Sequence, residues 1–66
     1  MAVATFTKLA TTIASNAHNY ASRRACELAI GRVKHAWTAS GSYGVYKDYM
    51  TEAVTACQLR WLELRP

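Results

Sequence analysis

The sequence predicts an all-α fold, either a small helical hairpin or a three-helix arrangement, with helices over approximately 4–15, 19–38 and 44–64 in one domain spanning 1–66. Three observations lead there. Hydrophobic residues make up 52% of the chain, and much of that fraction is alanine, the strongest helix former. The one proline, Pro66, comes at the very end, so no interior position loses a backbone donor. Apolar residues recur at spacings of three and four in three stretches, the period of a helix with one buried face.

The first stretch carries Phe6, Leu9, Ala10, Ile13, Ala17 and Tyr20 on one side, with Lys8, Thr12, Ser15 and Asn19 on the other. The second carries Cys26, Ala29, Ile30, Val33, Ala36 and Trp37, opposed by Arg23, Arg24, Glu27, Lys34 and His35. Projected on one ideal helix at about 100° per residue, these two stripes lie roughly half a turn apart. A single straight helix from 5 to 38 would therefore need a second subunit to cover one of them. The preferred alternative is a break at "SNAHN", residues 15–19, where Ser and Asn offer local hydrogen bonds that compete with the helix. Ser22 is the poorer place for a break, because Arg23 and Arg24 would fall in a first turn, where the helix dipole disfavours cations.

"TASGSYG", residues 38–44, reads as the loop before the last helix. Gly41 can adopt the left-handed conformation that ends a helix, and Ser40 or Ser42 can cap the next one. Beyond it, Tyr46, Met50, Ala53, Cys57, Trp61 and Leu64 form one stripe, with Lys47, Asp48, Thr51, Thr55 and Gln58 opposite. Leu59 and Leu62 break the pattern by projecting to the polar side, as a contact surface would require. Trp37 and Trp61 are expected to pack on each other or on the core, and Tyr43, Tyr46 and Tyr49 to cluster at the start of this helix.

A chain this short buries only about 60% of its unfolded surface, and small scaffolds compensate with disulfides, a metal or another chain. Cys26 and Cys57 both fall on apolar stripes, where a reduced thiol packs as a small hydrophobe. Ala10, Ala14, Ala17, Ala21 and Ala25 would run along one flank and admit a neighbouring helix while adding little apolar area. Completion by dimerisation or by a partner is the expected route.

Eight Lys and Arg against four Asp and Glu leave a formal charge of +4, which favours acidic partners. Arg23, Arg24, Arg32, Lys34 and His35, with Tyr20 available for stacking, form the alternative nucleic-acid contact. Glu27 stands at i+4 from Arg23 and i+3 from Arg24, where intrahelical pairing would neutralise part of that face. A helix-turn-helix reading fails because Gly41 comes one position late and the turn is overlong. His18, His35, Cys26 and Cys57 form no close-spaced ligand pair, so neither a metal nor a cofactor is expected. Glu27, Asp48, Glu52 and Glu63 take helical surface positions without a serine or histidine arrangement beside them. "GSYG" lacks the lysine and preceding strand of a phosphate loop, and catalysis is not expected.

"MAVATFTKLATT" lacks the charged start and continuous apolar block of a secretory signal, and no run reaches the roughly 18 apolar residues of a membrane span. The mixed-sign polar face of the last helix argues against binding to a membrane surface. The absence of acids before Glu27 matches organellar transit peptides in composition, but removing that stretch would leave too little chain to fold. These features fit a cytoplasmic protein with no catalytic role, regulatory or inhibitory, that binds another protein or itself through helices. Its length matches the compact accessory proteins of phages and mobile elements. The expected protein interface is Leu28, Leu59, Arg60, Trp61, Leu62 and Leu64.

Overall fold

The computed structural model describes residues 2–41 and 44–65. Among the described residues there are three α-helices: α1, Val3–Asn16; α2, Arg23–Ser40; and α3, Lys47–Glu63. A 3-10 turn, Ala17–Asn19, follows α1, and there is no strand among the described residues. Each helix packs on the other two, and the molecule measures 35 × 15 × 15 Å. The start of α2 meets the end of α3, so these two run antiparallel. The residues just after α1 meet Arg60 near the end of α3, while Ala10 and Ala14 share a groove with Tyr49 and Glu52 near its start. The first and third helices therefore run in the same direction.

The break between the first two helices resolves the conflict between their stripes. Phe6, Ala10, Ile13 and Ala17 from the first stripe and Cys26, Ala29, Val33 and Ala36 from the second are all buried in one cluster. Ala53, Val54 and Cys57 of α3 complete it. Alanine supplies five of these eleven buried residues, so the helices approach closely around a core with few large side chains. Cys26 and Cys57 are buried free thiols within it.

The position of the break differs from the expectation. The first helix ends at Asn16, as "SNAHN" suggests, but α2 begins at Arg23 rather than near residue 19. Ser22 is its N-cap, and its hydroxyl accepts from the Ala25 amide at 3.1 Å. A first turn with two arginines is tolerated because Arg23 leaves its own helix and lies against the C-terminal end of α3, where the dipole has the opposite sign. The alanine flank is also interrupted: Ala10 and Ala17 are buried, whereas Ala21 is exposed in the connection.

The second helix runs two residues past its expected end, and Gly41 terminates it at φ 67° with its amide donating to the Thr38 carbonyl. Ser40 belongs to the last turn of α2, where its hydroxyl donates to the Trp37 carbonyl. Tyr46 takes the N-cap position of α3, and its side chain makes no capping hydrogen bond. Ser42 and Tyr43 lie outside the described residues, so the proposed Ser42 cap and the Tyr43 part of the aromatic cluster fall there. Tyr46 and Tyr49 do meet, with ring centroids 6.1 Å apart.

Gly31 is exposed in the middle of α2 with ordinary helical backbone, and a β-carbon there would touch nothing in the chain. Glycine at such a position costs about 1 kcal/mol of helix stability relative to alanine. Neither a turn nor close packing inside the monomer offsets that cost.

Candidate protein-binding surface

The last four backbone carbonyls of an α-helix have no partner within the helix. At the end of α3 two of the outstanding carbonyls are met from across the fold. Arg23 Nε donates to the Leu64 carbonyl at 2.9 Å and to the Trp61 carbonyl at 3.3 Å. Its guanidinium carbon lies 3.8 Å from the Trp61 ring centroid, so the same side chain also stacks on the indole. In the opposite direction, Arg60 Nε donates to the Tyr20 carbonyl at 2.9 Å, in the extended connection before α2. Arg60 also pairs with Glu63 at 3.6 Å. Two arginines thus cross-link the α1–α2 connection and the end of α3 reciprocally.

Beside this clamp, Ile30 and Glu27 of α2 and Gln58, Trp61 and Leu62 of α3 line an open groove of about 390 Å³. Leu62 is 69% exposed at its rim, and Leu59 is 60% exposed about 60° further round α3. A helix end whose backbone is tied down from across the fold offers its exposed apolar side chains with less backbone entropy left to lose on binding. The groove between α1 and α3, about 360 Å³, is instead lined by Thr11, Ser15, Tyr49 and Glu52 beside Ala10 and Ala14.

The expected interface residues do not form one patch. Leu59 and Leu62 adjoin, and Trp61 is partly buried beside them with Arg23 over its ring. Leu64 is packed against the core and Arg60 is committed to the Tyr20 carbonyl, so both act chiefly within the chain. Leu28 is 52% exposed, but it points about 160° away from Ile30 on α2 and cannot share the groove. Trp37 and Trp61 both pack against the core, as one of the two expected arrangements has it, and do not stack on each other. The antiparallel pairing puts Trp37 some fourteen residues along α2 from Arg23, about 21 Å from the Trp61 end.

Comparison with family models, curated proteins and solved structures returned no match. The geometry therefore carries the functional reading.

The basic set is also redistributed. Arg24, Arg32, Lys34 and His35 are exposed on α2, whereas Arg23 is drawn into the clamp. Glu27 pairs with neither Arg23 nor Arg24: Arg23 reaches instead to carbonyls and the Trp61 ring, and Arg24 stays exposed. Tyr20 is partly buried against the core rather than presented for stacking. Burial pushes its phenol above the usual range, Cys57 adds to the shift and Arg32 opposes it. Burial likewise raises the Cys57 thiol, with Cys26 contributing.

Among the described residues no three His, Cys, Asp or Glu side chains are placed to hold a metal ion. No described helix is long and apolar enough to cross a membrane. The groove residues Glu27, Ile30 and Gln58 were not singled out as a site by sequence reasoning. Their spacing is ordinary helical spacing, and only the α2–α3 pairing makes them neighbours.

Proposed function

We propose that this chain is a non-catalytic binding protein, regulatory or inhibitory, that acts in the cytoplasm by occupying an apolar surface on a larger protein. One observation carries the reading: Leu59 and Leu62 stand 60% and 69% exposed at the end of α3 that Arg23 and Arg60 tie to the rest of the fold. Trp61 and Ile30 line the adjoining groove, and Trp is among the residue types most often found at energetic centres of interfaces. An accessory role of the kind expected from the chain's length belongs to the same reading.

The test places a photo-crosslinking residue at Leu59 in producing cells, identifies the adduct, and titrates the purified adduct protein with the chain and with Leu62→Glu. Saturable binding that Leu62→Glu weakens at least tenfold, with helicity unchanged, supports the proposal. Equal binding by both forms, or no adduct above that of a control at Thr12, overturns it.

A second reading, nucleic-acid binding, is favoured by the exposure of Arg24, Arg32, Lys34 and His35 without ion pairs to Glu27. It requires a steep loss of oligonucleotide affinity with added salt, because bound counterions are released on association. Absence of any mobility shift at low salt removes it.

A further inference from the structure

The exposed face of α2 is centred on Gly31, which no contact within the chain explains. On a helix the nearest surface neighbours of a residue are those three and four positions away. For Gly31 these are Glu27, Leu28, Lys34 and His35, and all four are exposed. A missing side chain at the centre of an exposed face lets a second backbone approach closely.

The charges around Gly31 say what that second backbone is. Glu27 and Lys34 lie on one flank of the face, about 20° apart in projection, and Leu28 and His35 lie on the other. Within one chain Glu27 and Lys34 are seven residues apart, about 10.5 Å along the axis, and they form no ion pair with each other. Now let a second copy of α2 lie antiparallel across a two-fold axis at Gly31. The two like flanks then face each other in reverse order. Glu27 comes opposite Lys34 of the second copy, differing by about 1.5 Å in height, and the symmetry makes that pair twice. Leu28 comes opposite His35 of the second copy on the other flank, which covers an aliphatic side chain 52% exposed in the monomer. A parallel two-fold pair would instead bring unlike flanks together, setting Glu27 against Leu28 and Lys34 against His35 of the second copy with no ion pair formed, so the charge pattern selects the antiparallel arrangement.

We infer that the Gly31 face of α2 is a self-association surface, occupied by α2 of a second copy of this chain crossing antiparallel at Gly31. This goes beyond the target-binding reading above, which rests on the end of α3. The two are separable because self-association is measured on the chain alone.

The experiment is sedimentation velocity on the full chain from micromolar to millimolar concentration, with Glu27→Lys, Lys34→Glu, their equimolar mixture, and Gly31→Gln. The wild-type chain should dimerise with rising concentration. Each single reversal sets like charges together twice and should weaken the dimer at least tenfold. The mixture should restore it, because the lysine introduced in one variant faces the glutamate introduced in the other, while the native Glu27 of the second faces the native Lys34 of the first. Gly31→Gln should remain monomeric with unchanged or higher helicity, since it improves helix propensity while blocking the crossing. A wild-type chain that stays monomeric throughout, reversals that dimerise normally, or a mixture that stays monomeric would each overturn the inference. So would a monomer that binds oligonucleotides and loses them on Lys34→Glu, which would assign this face to nucleic acid.

Discussion

Replacing Arg23 with alanine separates the clamp from the charge of the helix start. The side chain makes charge-assisted bonds at 2.9 and 3.3 Å to the Leu64 and Trp61 carbonyls and stacks at 3.8 Å on the Trp61 ring. A hydrogen bond to a charged group contributes about 1.5–3 kcal/mol, and a partly exposed cation–π contact about 0.5–1 kcal/mol. These terms share one side chain and do not add in full, so about 2–3 kcal/mol is a reasonable gross loss. Against it, removing a cation from the first turn of α2 relieves about 0.3–1 kcal/mol. The net loss should be about 2 kcal/mol, or roughly 8–16 °C in melting temperature for a domain of this size.

Arg24→Ala supplies the control. Arg24 occupies the same first turn and is exposed, so its removal should leave stability unchanged or slightly raised. Arg23→Lys keeps the charge but loses the planar group that stacks and donates at once, and should fall between the two. Urea and thermal unfolding followed by circular dichroism measure all three variants. If Arg23→Ala and Arg24→Ala agree within about 0.5 kcal/mol, the clamp contributes nothing to stability and the reasoning fails.

Other perturbations reach other parts of the fold. Phe6 is 0% exposed and is among the largest fully buried side chains; Phe6→Ala should cost about 3–5 kcal/mol, read as loss of cooperative unfolding by circular dichroism. Ser22→Ala removes the bond to the Ala25 amide and should cost about 1 kcal/mol in urea unfolding. Because folding raises the Cys57 thiol above its ordinary 9.0 and the Tyr20 phenol above its ordinary 10.0, the unfolded chain loses these protons first. Their contribution is complete below those ordinary values and is lost as pH rises through the folded ones, so urea midpoints should hold through neutrality and decline on the alkaline side. A midpoint that rises there would contradict this assignment. Cys26 and Cys57 are each 0% exposed, and labelling by a thiol reagent should be slow in the native protein and fast in denaturant.

The sequence by itself determined that there are three helical stretches and which faces they bury, but not where α2 and α3 begin. Apolar spacing of three and four is a local property, and it located Phe6, Ile13, Cys26, Val33 and Cys57 in the core and Leu59 and Leu62 outside it. Gly41 was legible as a terminator because a left-handed residue without a side chain is a local requirement. The contacts between elements were decided only by the tertiary structure. Ser22 looked unsuitable as a cap as long as Arg23 was judged against its own helix. Folding brings up the carbonyls of α3, 38 and 41 residues away, and the same cation becomes favourable. Arg60 likewise changes from a surface residue to a link to Tyr20. The groove exists because antiparallel packing sets Ile30 beside Trp61 and Leu62, while Leu28 is turned to another side. Periodicity shows which way a side chain points from its own helix; what it then meets depends on how the helices are arranged around one another.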